Sequence, residues 1–134
     1  MENKFENQFC KIEFSREKNC LYHFWKPTTK TAGWAEIKNA FLKYVDSISQ
    51  SKPKSVVVDE RDMGHVFSPE EQKWVDNEMM PKIISAGMKK IAIIKSKDAF
   101  VELATELMMG EENASRLQLK FIQTLDEAEA WISK

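Results

Sequence analysis

Arginine, histidine, cysteine and glycine are all scarce in this 134-residue chain, and each shortage closes off a class of function. Three arginines (Arg16, Arg61, Arg116) among 20 basic side chains do not suit a site built on repeated bidentate phosphate forks. Two histidines, His23 and His65, far apart in sequence, leave most hydrolase and metal-binding sets without their usual residues. The four glycines stand singly, so there is no Gly-x-Gly-x-x-Gly, no Walker A loop and no nucleophile elbow, and Cys-x-x-Cys and His-Glu-x-x-His are missing as well. Basic side chains do not exceed acidic ones: 20 against 21 gives a net charge of −1, which excludes a broadly basic nucleic-acid surface. No apolar run approaches the ~18–20 residues of a membrane span. Residues 1–7 are of mixed charge without the apolar segment of a signal peptide, so a cytoplasmic protein is expected. On this reading no cofactor, metal or catalytic residue is assigned.

What the chain does contain is an ordinary proportion of core-forming residues, 43% hydrophobic against 31% charged. A domain of this length buries roughly two-thirds of the surface of its unfolded form and needs no disulfide or structural metal. With no linker, repeat or low-complexity segment, residues 1–134 read as one domain.

Residues 9–15 alternate apolar and polar, and after a polar break residues 20–26 are rich in aromatics, which predicts an antiparallel hairpin. A turn centred on Glu17 and Lys18 sets Ser15 against Cys20 and Cys10 against Trp25, too far apart for the two thiols to bridge. Trp34, Ile37, Phe41, Tyr44, Val45 and Ile48 then lay an apolar stripe along a helix. The β-branched run at 54–59 reads as a buried central strand.

Ser68, Pro69, Glu70 and Glu71 spell a helix start: an N-cap, proline in the first turn, acids beside the positive end and a capping box. That helix runs to Gly87, with a kink expected at Pro81 because its ring displaces the carbonyl of Asn77. A strand at 90–95 follows. The next helix is capped by Ser96 or Asp98, its inward face is read as Phe100, Leu103 and Leu107, and Gly110 ends it. A half-exposed strand at 117–122 near an edge and a terminal helix opened by Thr124 and Glu127 complete the order β-β-α-β-α-β-α-β-α. This predicts an α/β domain with a mixed, mostly parallel sheet and an N-terminal antiparallel hairpin.

Ligands of such folds meet the carboxyl ends of the parallel strands, here the segments after Asp59, Lys95 and Thr124. The densest polar cluster lies there. Asp59, Arg61, Asp62, His65 and Ser68 are therefore the candidate partner- or ligand-binding residues, and an enzymatic reading would rest on Asp59, Asp62 and His65. The plainer reading is that Arg61 neutralises its acidic neighbours. Ser68 suffices as a cap, and a phosphate there would also meet free backbone N–H groups, which makes it a candidate for phosphorylation. Thr28–Thr31 read as capping and solvated loop ahead of an anion cradle, and His23 as a packed, hydrogen-bonded histidine ahead of a metal ligand.

In serial order, Lys54–Asp59, Ser68–Val75, Met80 with Pro81, Gly87–Ile93 and Asp126–Ile132 resemble the SpoIIAA-like branch of the STAS superfamily, small stand-alone bacterial proteins. The resemblance spans nearly the whole chain. It implies strands and helices wound as a β-α superhelix related to the lipid-binding CRAL-TRIO fold, and a regulatory or protein-binding role without catalysis. The anti-sigma-factor antagonists of that superfamily carry a phosphorylatable Asp-Ser or Asp-Thr closely followed by glycine after the central strand. Here the stretch holds Asp62, Met63 and Gly64, and Ser68 is the only hydroxyl at the helix start.

Two functions follow as expectations. The first is a non-catalytic regulatory or interaction domain that presents residues 60–68 and the next helix to a protein partner. The alternative is a binder of a small apolar ligand or lipid, entered past Trp25, Trp34 and Phe67. An edge strand and a methionine-rich helix leave a homodimer open.

Overall fold

The computed structural model describes residues 1–134. Six strands lie side by side in chain order: β1 (Glu2–Glu6), β2 (Cys10–Ser15), β3 (Cys20–Trp25), β4 (Ser55–Asp59), β5 (Lys90–Ile94) and β6 (Gln118–Ile122). The first three pair antiparallel and the last four pair parallel. The mixed α/β sheet is as expected, with one strand more. β1 escapes sequence reading because Glu2, Asn3, Lys4 and Glu6 leave it almost no apolar face. A bulge between Asn3 and Phe5 and its run of charges suit it to the outer edge, where they discourage further pairing.

The β2–β3 hairpin has the expected register, Cys10 opposite Trp25 and Ser15 opposite Cys20. The two thiols are free and buried on opposite faces of the sheet. Burial pushes both up to about 12, so neither is a ready nucleophile at neutral pH.

Because the parallel strands are in sequential order, crossovers of one hand place every connecting helix on the same face. That face carries α1 (Trp34–Ser51), the long helical rod from Pro69 to Ser85, and α4 (Ala99–Met109), packed with strand residues such as Leu21, Val56 and Ile91 into a core of 26 buried residues. Only α5 (Leu125–Ile132) covers the other face, where Ala128 meets Tyr22, Val57, Ala92 and Ile122. None of the helices is long and apolar enough to cross a membrane.

Two expectations need correcting. Pro81 does not simply kink its helix. The rod is α-helical as α2 (Pro69–Trp74), widens into a π turn at Val75–Met79, and resumes as α3 (Met80–Ser85). The Met80 N–H reaches back to the Val75 carbonyl, so an extra residue is taken up just ahead of the ring that would collide with the Asn77 carbonyl. The second correction concerns α4. Phe100, Leu103 and Leu107 do not face the core: they are 74%, 54% and 57% exposed. Val101, Ala104, Thr105, Met108 and Met109 are buried instead. At about 100° per residue α4 carries two apolar stripes, and the sheet takes the one with the smaller and more flexible side chains.

Candidate functional site

The segment after β4 turns out to be a tightly fastened loop. Asp59, nearly buried at the strand end, binds Arg61 through both oxygens: Nε lies 3.0 Å from Oδ1, Nη2 lies 2.7 Å from Oδ2, and the Arg61 backbone N–H also donates to Oδ1. The Gly64 N–H donates to Thr29 Oγ1 at 2.9 Å, and Ser96 Oγ donates to the Met63 carbonyl at 3.1 Å. Met63 and Phe67 are driven into the core between these anchors. Gly64 packs so closely on the 27–31 turn that a Cβ would stand 2.7 Å from the Lys30 Cα. Glycine is required there for close approach.

The remaining polar side chains of the loop are engaged locally. Asp62 pairs with Lys97 at 3.3 Å across the rim. His65 Nε2 lies 2.7 Å from Glu71 Oε1, with its ring between Trp34 and Phe67. The same Glu71 oxygen accepts the Ser68 N–H, while Ser68 Oγ accepts the Glu71 N–H, the reciprocal capping box read from sequence. Thus the structure joins Asp59 to Arg61, and His65 to Ser68 through Glu71. It does not assemble Asp59, Asp62 and His65 into one set. The threonines of the 27–31 turn are likewise spent on backbone carbonyls, Thr28 on Gln8 and Thr29 on Lys26. No three His, Cys, Asp or Glu side chains converge as a metal site.

Behind the loop lies a chemistry that sequence reading missed. Strand alternation turns Glu60 to the face opposite Asp59, into the main core beside α4, where only 3% of it is exposed. Thr105 Oγ1 donates to its Oε1 at 2.8 Å. Burial raises the carboxyl to about 7, against the Thr105 hydrogen bond and helped by the charges of Glu102 and Asp59. On β3, His23 is buried as expected, but the expected hydrogen bonding is missing at Nε2, which has no partner. Burial alone depresses it to about 3, so the ring is neutral. Both side chains border a cavity of about 30 Å³ walled by Tyr44, Met79, Met80 and Met108. That is close to the room one or two water molecules occupy, and far below the ~300 Å³ of a small-molecule pocket.

The other missed feature is on the surface. Phe100, Leu103 and Leu107, at i, i+3 and i+7, form an unbroken apolar ridge on the outside of α4. Its first turn adjoins the fastened loop, since the Lys97 N–H bonds the Arg61 carbonyl and Lys97 pairs with Asp62. In the loop itself, Val66 is 48% exposed. The signal was present in the sequence, because α4 is apolar on two sides where a surface helix is apolar on one. Compared with protein-family models, curated proteins and solved structures, the chain matches none.

Proposed function

We propose that this chain is a non-catalytic protein-interaction domain that docks a partner on the outer face of α4 and the adjoining 60–68 loop. The α4 ridge carries this reading. A helix with two apolar stripes normally buries both, and here one of them is left uncovered. The loop supports it: its charges neutralise one another, and its backbone is held from both sides. The resemblance to STAS-type interaction domains agrees with such a role. In this reading Ser68 serves as a helix cap, its Oγ accepting the Glu71 N–H. The alternative, a carrier of a small apolar ligand, calls for an apolar pocket between sheet and helices, and the cavity there measures about 30 Å³; the larger hollows are open and lined mostly by polar side chains.

Photo-cross-linkers placed singly at Phe100, Leu103 and Leu107 test the reading in cells that express the chain natively, with Lys52 at the far end of α1 as control. The expected result is one discrete product from the three α4 positions, lost when a second α4 position carries aspartate, and none from Lys52. Absence of any product specific to α4 would overturn it.

A further inference from the structure

The ridge is bordered by charge of one sign. Between Asp98 and Ser115 the chain has five acidic residues, Asp98, Glu102, Glu106, Glu111 and Glu112, and no lysine or arginine, although the whole sequence is nearly balanced. None of the five has a cationic partner within 4.0 Å, whereas eight salt bridges form elsewhere on the molecule. Glu102 and Glu106 lie one turn apart on α4; Glu106 is exposed, whereas both oxygens of the Glu102 carboxylate are buried and find no hydrogen-bond donor. Like charges at i, i+4 cost the helix stability, so this pair is unfavourable within the chain alone.

The helical wheel places these groups relative to the ridge. Leu103 and Leu107 fall within about 60° of Phe100, and Glu106 follows about 60° beyond Leu103, with Glu102 about 40° farther round toward the buried face. Glu111 and Glu112 continue the acidic border beyond the C-terminus of α4. An apolar ridge of three side chains edged with unpaired carboxylates is complementary to one kind of surface. Resting on the interaction reading above, we propose that the partner presents an amphipathic helix whose apolar stripe packs on Phe100, Leu103 and Leu107 and whose flanking lysines or arginines pair with Glu106 and the 111–112 acids. Two other occupants fit less well. A second copy would bring this acidic border against itself, and an anionic membrane surface would be repelled.

The ridge offers roughly 350 Å² of apolar surface, judged from the exposure of its three side chains. Against the ~800 Å² per partner of a standard interface this supports a transient, salt-sensitive complex, not a permanent one.

Three synthetic peptides of about 15–18 residues serve as probes: a leucine/lysine amphipathic helix, the same apolar pattern with glutamate for lysine, and a scrambled leucine/lysine sequence. Binding is read by fluorescence anisotropy at ~50 and ~200 mM salt, the footprint by amide chemical-shift mapping, and self-association by sedimentation. The leucine/lysine helix is expected to bind with its footprint on α4. It should lose about tenfold or more in affinity with Leu103→Asp, lose about as much with Glu106→Gln plus Glu112→Gln, and weaken as salt rises. The double Gln variant keeps the fold even if Leu103→Asp does not, because both side chains are exposed and hold no ion pair. A footprint on α4 by the glutamate peptide with equal affinity, or self-association through α4, would overturn the basic partner while leaving α4 a docking surface. Equal binding of the scrambled peptide, or a footprint away from α4, would also overturn it. No α4 footprint from any peptide, together with no α4-specific cross-link, would remove the interaction reading itself.

Discussion

Replacing Glu60 with glutamine should change how the stability of this domain depends on pH, and by an amount that follows from the burial of the carboxyl. Its pKa is raised from an ordinary 4.5 to about 7, chiefly because the charged form is kept from water. The group is protonated in both folded and unfolded chains below about 4.5, so its contribution to stability is complete there. Between about 4.5 and 7 the unfolded chain releases the proton first, and stability falls by about 1.4 kcal/mol per pH unit until the folded group also ionises. The loss levels off near 3 kcal/mol above pH 7.

His23 would obscure this in the wild-type curve. Its depressed value, about 3 against an ordinary 6.5, gives stability that rises over 3 to 6.5, the opposite slope in an overlapping window. Comparing variant with wild type removes it, since both chains keep His23. Glu2, Glu6 and Glu129 are shifted downward and act below 4.5, outside the window. Urea denaturation of both proteins from pH 4.5 to 8.5 is the assay. The stability of Glu60→Gln relative to wild type should grow by about 3 kcal/mol over that range and stay flat above pH 8. A difference constant to within about 0.5 kcal/mol would refute the buried, protonated carboxyl.

Removing the cap by Ser68→Ala should cost about 1 kcal/mol in denaturant melts, while Ser68→Asp, itself a good cap, should cost much less; equal losses would disprove the capping account. Gly64→Ala forces a Cβ against the Lys30 backbone and should destabilise by about 1–3 kcal/mol, whereas the same change at Gly33, where a Cβ meets only Glu36 Oε1 at 3.6 Å, should cost less than about 1 kcal/mol. On α4 the two stripes should separate cleanly. Met108→Ala is expected to cost about 2–5 kcal/mol and Leu107→Ala about 0.5 kcal/mol, and the reverse order in thermal or urea unfolding would restore the inward face first read from sequence.

What was legible in the sequence is what periodicity and caps specify. The hairpin register followed from one turn position, and the Ser68 and Thr124 helix starts from side chains that bond the first turn. β1 was hidden because an edge strand needs backbone pairing more than an apolar face. The π turn was hidden because proline announces a conflict without saying how the helix resolves it. On α4, a period of 3.6 marks two stripes about equally well, Phe100–Leu103–Leu107 and Val101–Ala104–Met108. The side chains that fit against Ile91, Ile93 and Glu60 decide between them, and that is a three-dimensional property. At the loop, sequence located the polar cluster but could not show that nearly all of it is internally satisfied. Glu60 was passed over beside Asp59, although alternation along a strand already sends neighbours to opposite faces.

The two features missed from sequence bear on one another through α4. Its inner face is fixed by buried Met108, Val101 and the Thr105–Glu60 hydrogen bond, and the loop beside its first turn is held by Ser96, Lys97 and Thr29. As the proposed docking surface, α4 would be ordered before any partner arrives, so little of the association energy would be lost to immobilising it. The same rigidity means that the ridge cannot fold its leucines inward when unoccupied, because the space beneath is filled by the other stripe. Exposed apolar surface that the fold has no means of hiding is a standing liability to solubility. The unpaired carboxylates beside it offset that liability by repelling further copies, and they favour a partner that brings the opposite charge.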